Sequence, residues 1–194
     1  MLEHLEALDR SAFLAINGWH AAWTDDLMLL ISGKSTWIPL YVFLLFLLQR
    51  RLGWRGLAWA VPVIGLMILC SDQGSVQLFK ESVHRLRPCH EPTLSGLVHL
   101  VPEGCGGQYG FVSSHAANHS AIAFFMIGIL GGRPRWSIPA LVLWAALVGY
   151  SRIYLGVHYP GDVLVGSLFG ATVGIIFAVM LRRILQYGSS SADA

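Results

Sequence analysis

Charge is scarce in this chain. Asp, Glu, Lys and Arg make up 12% of its 194 residues, about half of the roughly 25% that water-soluble domains carry. That shortage excludes an ordinary soluble surface, because 55% of the residues are hydrophobic and the mean hydropathy is +0.58. A strong excess of either sign is also missing. The formal net charge of +2 offers no electrostatic footprint for nucleic acid. The start lacks a basic region followed by a cleavage site, so the first apolar run is expected to stay in the mature protein. Polar segments are few: residues 80–115 form the one long loop and 186–194 a polar tail. The length suits one domain, expected at 1–185 and embedded in a membrane.

What is present is a series of apolar runs. Residues 1–24 place Leu2, Leu5, Leu8 and Ala12 on one helical stripe, with Phe13 and Ile16 beside it and Glu3, Glu6 and Arg10 mostly opposite. This spacing predicts an amphipathic helix, lying on the membrane surface or packed against a bundle. Five spanning helices are expected, at about 27–49, 57–79, 116–131, 136–154 and 163–181. Lys34 interrupts the first, and the third is short for a hydrocarbon layer of about 30 Å. The expected fold class is therefore an all-α, polytopic transmembrane bundle. The 21 glycines suit close helix approach. Trp19, Trp23, Trp37, Trp54, Trp59, Trp136 and Trp144 fall mostly near run ends, as aromatic belts do.

Alternate connections share a side of the membrane. Arg50, Arg51, Arg55, Arg133, Arg135, Arg182 and Arg183 fall on one side with Asp193, whereas Asp25, Asp26, Glu81, Glu91 and Glu103 fall on the other. The excess of arginine predicts a cytoplasmic side. The 80–115 loop and the 152–162 turn then face outward. In that compartment Cys89 and Cys105 can form a disulfide. Cys70 lies within a span and reads as packing.

Four segments deliver ionisable groups to that outer face. Lys80, His84, Arg85 and Arg87 follow the second run; Ser113, Ser114, His115, Asn118 and His119 open the third; Ser151 and Arg152 end the fourth; His158 and Asp162 precede the fifth. Charge at membrane depth costs kilocalories unless it is paired or used. Lys80, Arg87 and Arg152 suit a tetrahedral phosphate, since the arginine fork binds two of its oxygens. Ser113 and the first amides of the third helix add donors at a positive helix end. His115 and His158 can divide the work, one attacking phosphorus and the other protonating the leaving oxygen. Asp162, four residues after His158, can accept from the imidazole N–H and set its tautomer. The rival is a metal held by His115 and His119, one helical turn apart, but a metal prefers carboxylates to three neighbouring cations.

These segments resemble the three signature motifs of the type-2 phosphatidic acid phosphatase superfamily. "KESVHRLRP" fits its Lys, six residues, Arg-Pro through Lys80, Arg87 and Pro88. "SRIYLGVHYPGD" fits its third motif through Ser151, Arg152, His158 and Asp162. "VSSH" departs from Pro-Ser-Gly-His: Val112 replaces Pro and Ser114 replaces Gly, while Ser113 and His115 match. The resemblance implies His158 as nucleophile, forming a phosphohistidine, with Asp162 supporting it and His115 protonating the leaving group. It implies phosphate binding by Lys80, Arg87, Ser113, Arg152 and the backbone around Ser114, and no metal or other cofactor. Ser114 costs energy there if its backbone needs positive φ.

The expected activity is hydrolysis of a lipid phosphate held in the bilayer of a bacterial inner membrane, at a site facing the periplasm or exterior. The family's substrates include undecaprenyl pyrophosphate, phosphatidylglycerol phosphate, phosphatidic acid and lipid A. The short chain and external site favour undecaprenyl pyrophosphate. Lipid-to-lipid phosphotransfer and a non-catalytic lipid or anion carrier are the alternatives, although a carrier has no need of two histidines and Asp162. Outside the central set, Asp72 and His119 are expected to pack or to shape the site from below. His84, Arg85, His90 and His99 are placed in the outer loop, within reach of a headgroup.

Overall fold

Breaks in the apolar runs set the helix boundaries. The structure, a computed structural model, describes residues 2–101 and 104–190. Glu103 and Asp193, which entered the charge comparison, lie outside them. Six helices carry the fold: α1 Leu2–Asn17, α2 Ala22–Ser32, α3 Ile38–Gly74, α4 Ser114–Leu130, α5 Ser137–Tyr154 and α6 Pro160–Ser190. No strand forms among the described residues, and Leu86 and Tyr109 make an isolated bridge. Gly33 ends α2, Gly131 ends α4 with φ 65°, and Pro160 opens α6, the positions these residues favour. Helix α6 continues to Ser190, into the segment expected as a polar tail.

The α3 run is not one rod. Gly53 has φ 70° and ψ 177° and breaks it into two arms. Tyr41 in the first arm reaches His119, and Asp72 in the second reaches Asn118. An unbroken helix would hold residues 41 and 72 about 46 Å apart, at 1.5 Å per residue. Both instead meet the first turns of α4, so the chain reverses at Gly53, toward the other end of the bundle. The second arm leaves through a wider π-helical turn, Ser75–Lys80, that carries Lys80. Such turns recur at functional sites.

Among the described residues, three helical segments are long and apolar enough to cross a membrane: Ser35–Val83, Ser137–Tyr154 and Pro160–Gln186. The first contains the bend, and α4, at 17 residues, is short. Leu143, Leu164, Leu168 and Ile176 face outward with more than half of their surface exposed. Leu48, Met67, Phe125, Met126, Val148 and Leu181 form the inner core with α4 at its centre.

The α4–α6 seam is built on glycine. A side chain at Gly166 would sit 2.7 Å from the Ser113 carbonyl, and Gly170 and Gly174 lie against the Ala117 and Ala121 carbonyls. Spaced four apart, they form one stripe on α6, and small residues at this spacing let helix backbones touch. Trp144 corrects the aromatic-belt expectation. It is 6% exposed and packs edge-on against Trp37 and His119, with centroids 5.7 and 5.1 Å away. By contrast Trp19, Trp23, Trp54, Trp59 and Trp136 are exposed.

Helix α1 packs against the bundle. Phe13 is fully buried and meets Tyr159 at 5.4 Å, burial that contributes about 2 kcal/mol. Buried Asn17 donates to the carbonyls of His99 and Tyr154 at 2.8 and 2.7 Å and accepts from the His99 amide. Those bonds tie α1, α5 and the long loop together. The Cys89–Cys105 disulfide joins the two halves of that loop, with Cα atoms 6.0 Å apart.

Candidate active site

The turn between α5 and α6 exists to aim His158. Gly156 has φ 81°, and a Cβ there would lie 2.7 Å from the His99 carbonyl, so glycine alone fits. Two residues later His158 turns inward and keeps 2% of its surface. Asp162, in the first turn of α6, is fully buried. Its Oδ2 accepts from the Tyr159 amide at 2.9 Å and faces His158 Nδ1 at 3.4 Å. Arg87 Nη1 stands 3.4 Å from His158 Nε2. A guanidinium only donates and a carboxylate only accepts. The proton therefore belongs on Nδ1, and Nε2 carries the lone pair toward the arginines. Burial, reinforced by Arg87 and Arg152 and opposed by Asp162, pushes the His158 imidazole down to about 4. At neutral pH the ring is uncharged.

The second motif supplies the facing wall. Ser113 caps α4, its hydroxyl accepting from the Ala116 amide at 3.5 Å while its own amide donates to the Asp162 carbonyl at 3.0 Å. Expected among the phosphate ligands, Ser113 is fully buried behind the wall, and Ser114 presents the hydroxyl. Lys80 Nζ donates to Ser114 Oγ at 2.8 Å, Ser114 meets Ser75 Oγ at 2.6 Å, and Ser75 donates to the Asp72 carbonyl at 2.7 Å. Each hydroxyl proton has a place if Ser114 donates to Ser75. His84 is the described non-glycine residue with positive φ. Ser114 therefore carries no such strain, and the loss of the motif's glycine costs the backbone nothing.

Lys80, Arg87, Ser114, His115, Arg152 and His158 line one cavity of about 870 Å³. Arg152 Nη1 donates to Ser32 Oγ of α2. Below these groups the cavity continues between the α3 arms and α4, past Leu44, Leu48, Ile64, Met67, Phe125 and Met126. Its top is cationic and its depth is hydrocarbon. Asp72 and His119 lie on the wall between. Asn118 donates to Asp72 at 3.1 Å. His119 Nδ1 bonds the His115 carbonyl at 2.8 Å and Nε2 meets the Tyr41 hydroxyl at 3.3 Å. Both ring nitrogens thus have a polar neighbour. The two imidazoles stack nearly parallel with centroids 6.4 Å apart.

The outer-loop group divides. His99 meets Asp25 at 3.0 Å and stacks on His20 at 3.6 Å. His90 Nε2 reaches the Gly106 carbonyl at 3.2 Å, and His84 packs edge-on against Tyr109. Arg85, expected near a headgroup, turns inward instead and pairs with Asp162 at 2.9 Å and Asp9 at 2.8 Å. Sequence reading missed Asp9, Ser75 and Tyr41 because their partners lie 152, 39 and 78 residues away. The serine that departs from the second motif was the available signal for Ser75, since a hydroxyl at 114 needs a partner.

Residues 59–185 match the model of the PAP2 superfamily. The chain is 36% identical over 185 residues to a lipid A 4'-phosphatase of Bacteroides thetaiotaomicron, covering 95% of this chain and 81% of that one. It is 35% identical over 195 residues to a lipid A 4'-phosphatase of Porphyromonas gingivalis, covering 100% and 81%. Its structure is similar to that of a transmembrane PAP2-type phosphatidylglycerolphosphate phosphatase from Bacillus subtilis, with a TM-score of 0.64, 25% identity and coverage of 93% and 88%.

Proposed function

This chain belongs to the PAP2 superfamily and is a lipid phosphate phosphatase, and from that premise we propose that it acts through a phosphohistidine at His158. One observation carries the reading: a cationic cradle opens directly onto an apolar cavity. The phosphate of a bilayer lipid meets Lys80, Arg87 and Arg152 while its tail lies between the α3 arms and α4. Nε2 of His158 attacks phosphorus, a P–N bond forms, and the P–O bond to the lipid breaks. His115, its positive charge balanced by the incoming phosphate, gives its proton to the leaving oxygen. Water then attacks phosphorus, the P–N bond breaks, and His115 takes the proton of that water. Charge building on the phosphoryl oxygens is met by donors already in place. No step calls for a metal.

For the substrate we favour a lipid A-type glycolipid phosphate, because the lipid A 4'-phosphatases match nearly the whole chain. Undecaprenyl pyrophosphate, favoured by chain length and site position, is the second reading. If the α3 arms, α4, α5 and α6 each cross the membrane, the excess of arginine would put their Arg-rich end in the cytoplasm and the site outside. The test is phosphate release in detergent with chelator present, from lipid A, undecaprenyl pyrophosphate, phosphatidylglycerol phosphate and phosphatidic acid, by wild type and His158→Ala. Release by wild type alone supports the reading and ranks the lipids. Equal release by both proteins, or none by either, contradicts it.

A further inference from the structure

A closed ring of charged groups stands behind the nucleophile. Asp162 Oδ1 accepts from Arg85 Nη1 at 2.9 Å, and Arg85 Nη2 donates to Asp9 Oδ2 at 2.8 Å. Asp9 Oδ1 accepts from the Gly161 amide at 2.7 Å, an amide in the first turn of α6 with no partner within the helix. The ring then closes through one peptide unit to Asp162. The Arg85 guanidinium also lies over the Tyr159 ring, 4.0 Å from its centroid. Glycine at 161 leaves room for this contact, because a Cβ there would stand 2.7 Å from Asp9 Oδ2 and push the carboxylate away.

We infer that Arg85 and Asp9 are positioning residues for phosphoryl transfer, acting through Asp162 on His158, so that α1 is part of the active site. Asp162 is fully buried, and Arg85 is the arginine bonded directly to it. A buried carboxylate that loses its cation is left uncompensated. The guanidinium fork fixes both position and rotation. With Oδ1 held by Arg85, Oδ2 stays turned toward His158 Nδ1 and the Tyr159 amide. If Oδ1 is freed, the carboxylate can rotate away, and the imidazole loses the partner that sets its tautomer. Asp9 in turn holds the outer arm of Arg85 and the start of α6. The ring therefore couples α1, the segment between Lys80 and Arg87, and the nucleophile's turn.

The inference rests on His158 being the nucleophile, and the test separates the two. Full-length wild type, Asp9→Asn, Arg85→Lys, Arg85→Gln, Asp162→Asn and Arg85→Gln/Asp162→Asn are compared in detergent. The readouts are kcat and KM with a lipid phosphate, acid-labile phosphohistidine and melting temperature. A positioning role predicts that Arg85→Gln lowers kcat about 100-fold and Asp9→Asn about 10-fold, with KM within about twofold. Arg85→Lys should recover part of the loss. The double variant should be no slower than Asp162→Asn alone, since Arg85 acts only through that carboxylate. Asp9→Asn keeps an acceptor for Gly161 and so retains the fold if Arg85→Gln does not. Unchanged kcat in Asp9→Asn or Arg85→Gln overturns the inference, as does an Arg85→Gln loss that persists in full on the Asp162→Asn background. If wild type forms no phosphohistidine, the nucleophile reading fails and takes this inference with it.

Discussion

The two flanks of α4 are built differently. Toward α6, helix backbones touch across Gly166, Gly170 and Gly174. Toward the α3 arms, a cavity of about 870 Å³ keeps them apart. The tight flank fixes Ser113 against the Asp162 carbonyl, and with it the start of the helix that carries His115. The loose flank is lined by Leu, Ile, Met and Phe side chains. One helix thus supplies precision on one face and room for a lipid on the other. Chemistry tolerates little displacement, whereas a hydrocarbon tail needs space and no directional bond.

The largest effect is expected on the tight side. On the proposed mechanism His158→Ala removes the attacking atom and should lower kcat by at least about 10⁴-fold while leaving the melting temperature within a few degrees, measured by phosphate release and thermal unfolding.

A paired glycine substitution tests the contrast directly. Gly170→Ala drives a methyl into the Ala117 carbonyl and should destabilise by about 1–3 kcal/mol. By moving α6 against α4 it should also cost up to about 100-fold in kcat. Gly65 lines the cavity and has nothing within 4 Å of its Cβ position. Gly65→Ala should therefore be neutral, or stabilise by about 0.5–1 kcal/mol through helix propensity. Equal destabilisation of both variants would mean that the flanks do not differ.

A bulkier change at the same position sharpens the comparison. Gly65→Trp should fill cavity space, raising KM about tenfold for long-tailed lipid phosphates and leaving short-chain ones nearly unchanged, because only a long tail reaches that depth. Steady-state kinetics across a chain-length series would show it. Uniform loss for all chain lengths would place the tail elsewhere.

The smallest expected effect is the pH response near neutrality. On the proposed mechanism His158 attacks as the neutral ring, and burial pushes its imidazole down to about 4. The single-turnover rate of phosphoenzyme formation should rise as pH climbs through about 4 and show no further gain from this group between 5.5 and 7.5. An acid limb centred near the ordinary histidine value of about 6.5 would mean that the ring is not held by this burial.

Much of this is legible in the sequence alone. The apolar runs locate the helices, because 3.6-residue periodicity and length are local properties. Lys80, Arg87, His115, Arg152 and His158, singled out by their motifs, line one cavity. The break near 50–56 was expected from its arginines and occurs at Gly53. Trp144 misled because it sits midway along its run, where an aromatic can face lipid or core and the sequence does not say which way the helix is rotated. Arg85 misled for a related reason: an arginine in a polar loop looks solvated until α1 brings Asp9 across from 76 residues away. Similarly, the stripe Gly166, Gly170, Gly174 announces a close contact but not its partner, and only the assembled bundle identifies α4.

The most direct test of the central claim is the fate of a labelled phosphate. Wild type is mixed with a radiolabelled lipid phosphate, quenched in alkali within milliseconds, and digested for peptide mapping. The account predicts acid-labile, alkali-stable label on the peptide containing His158, absent in His158→Ala and decaying at the rate at which inorganic phosphate appears. Label found on no histidine while phosphate is released at the full rate, or release preserved in His158→Ala, would contradict it.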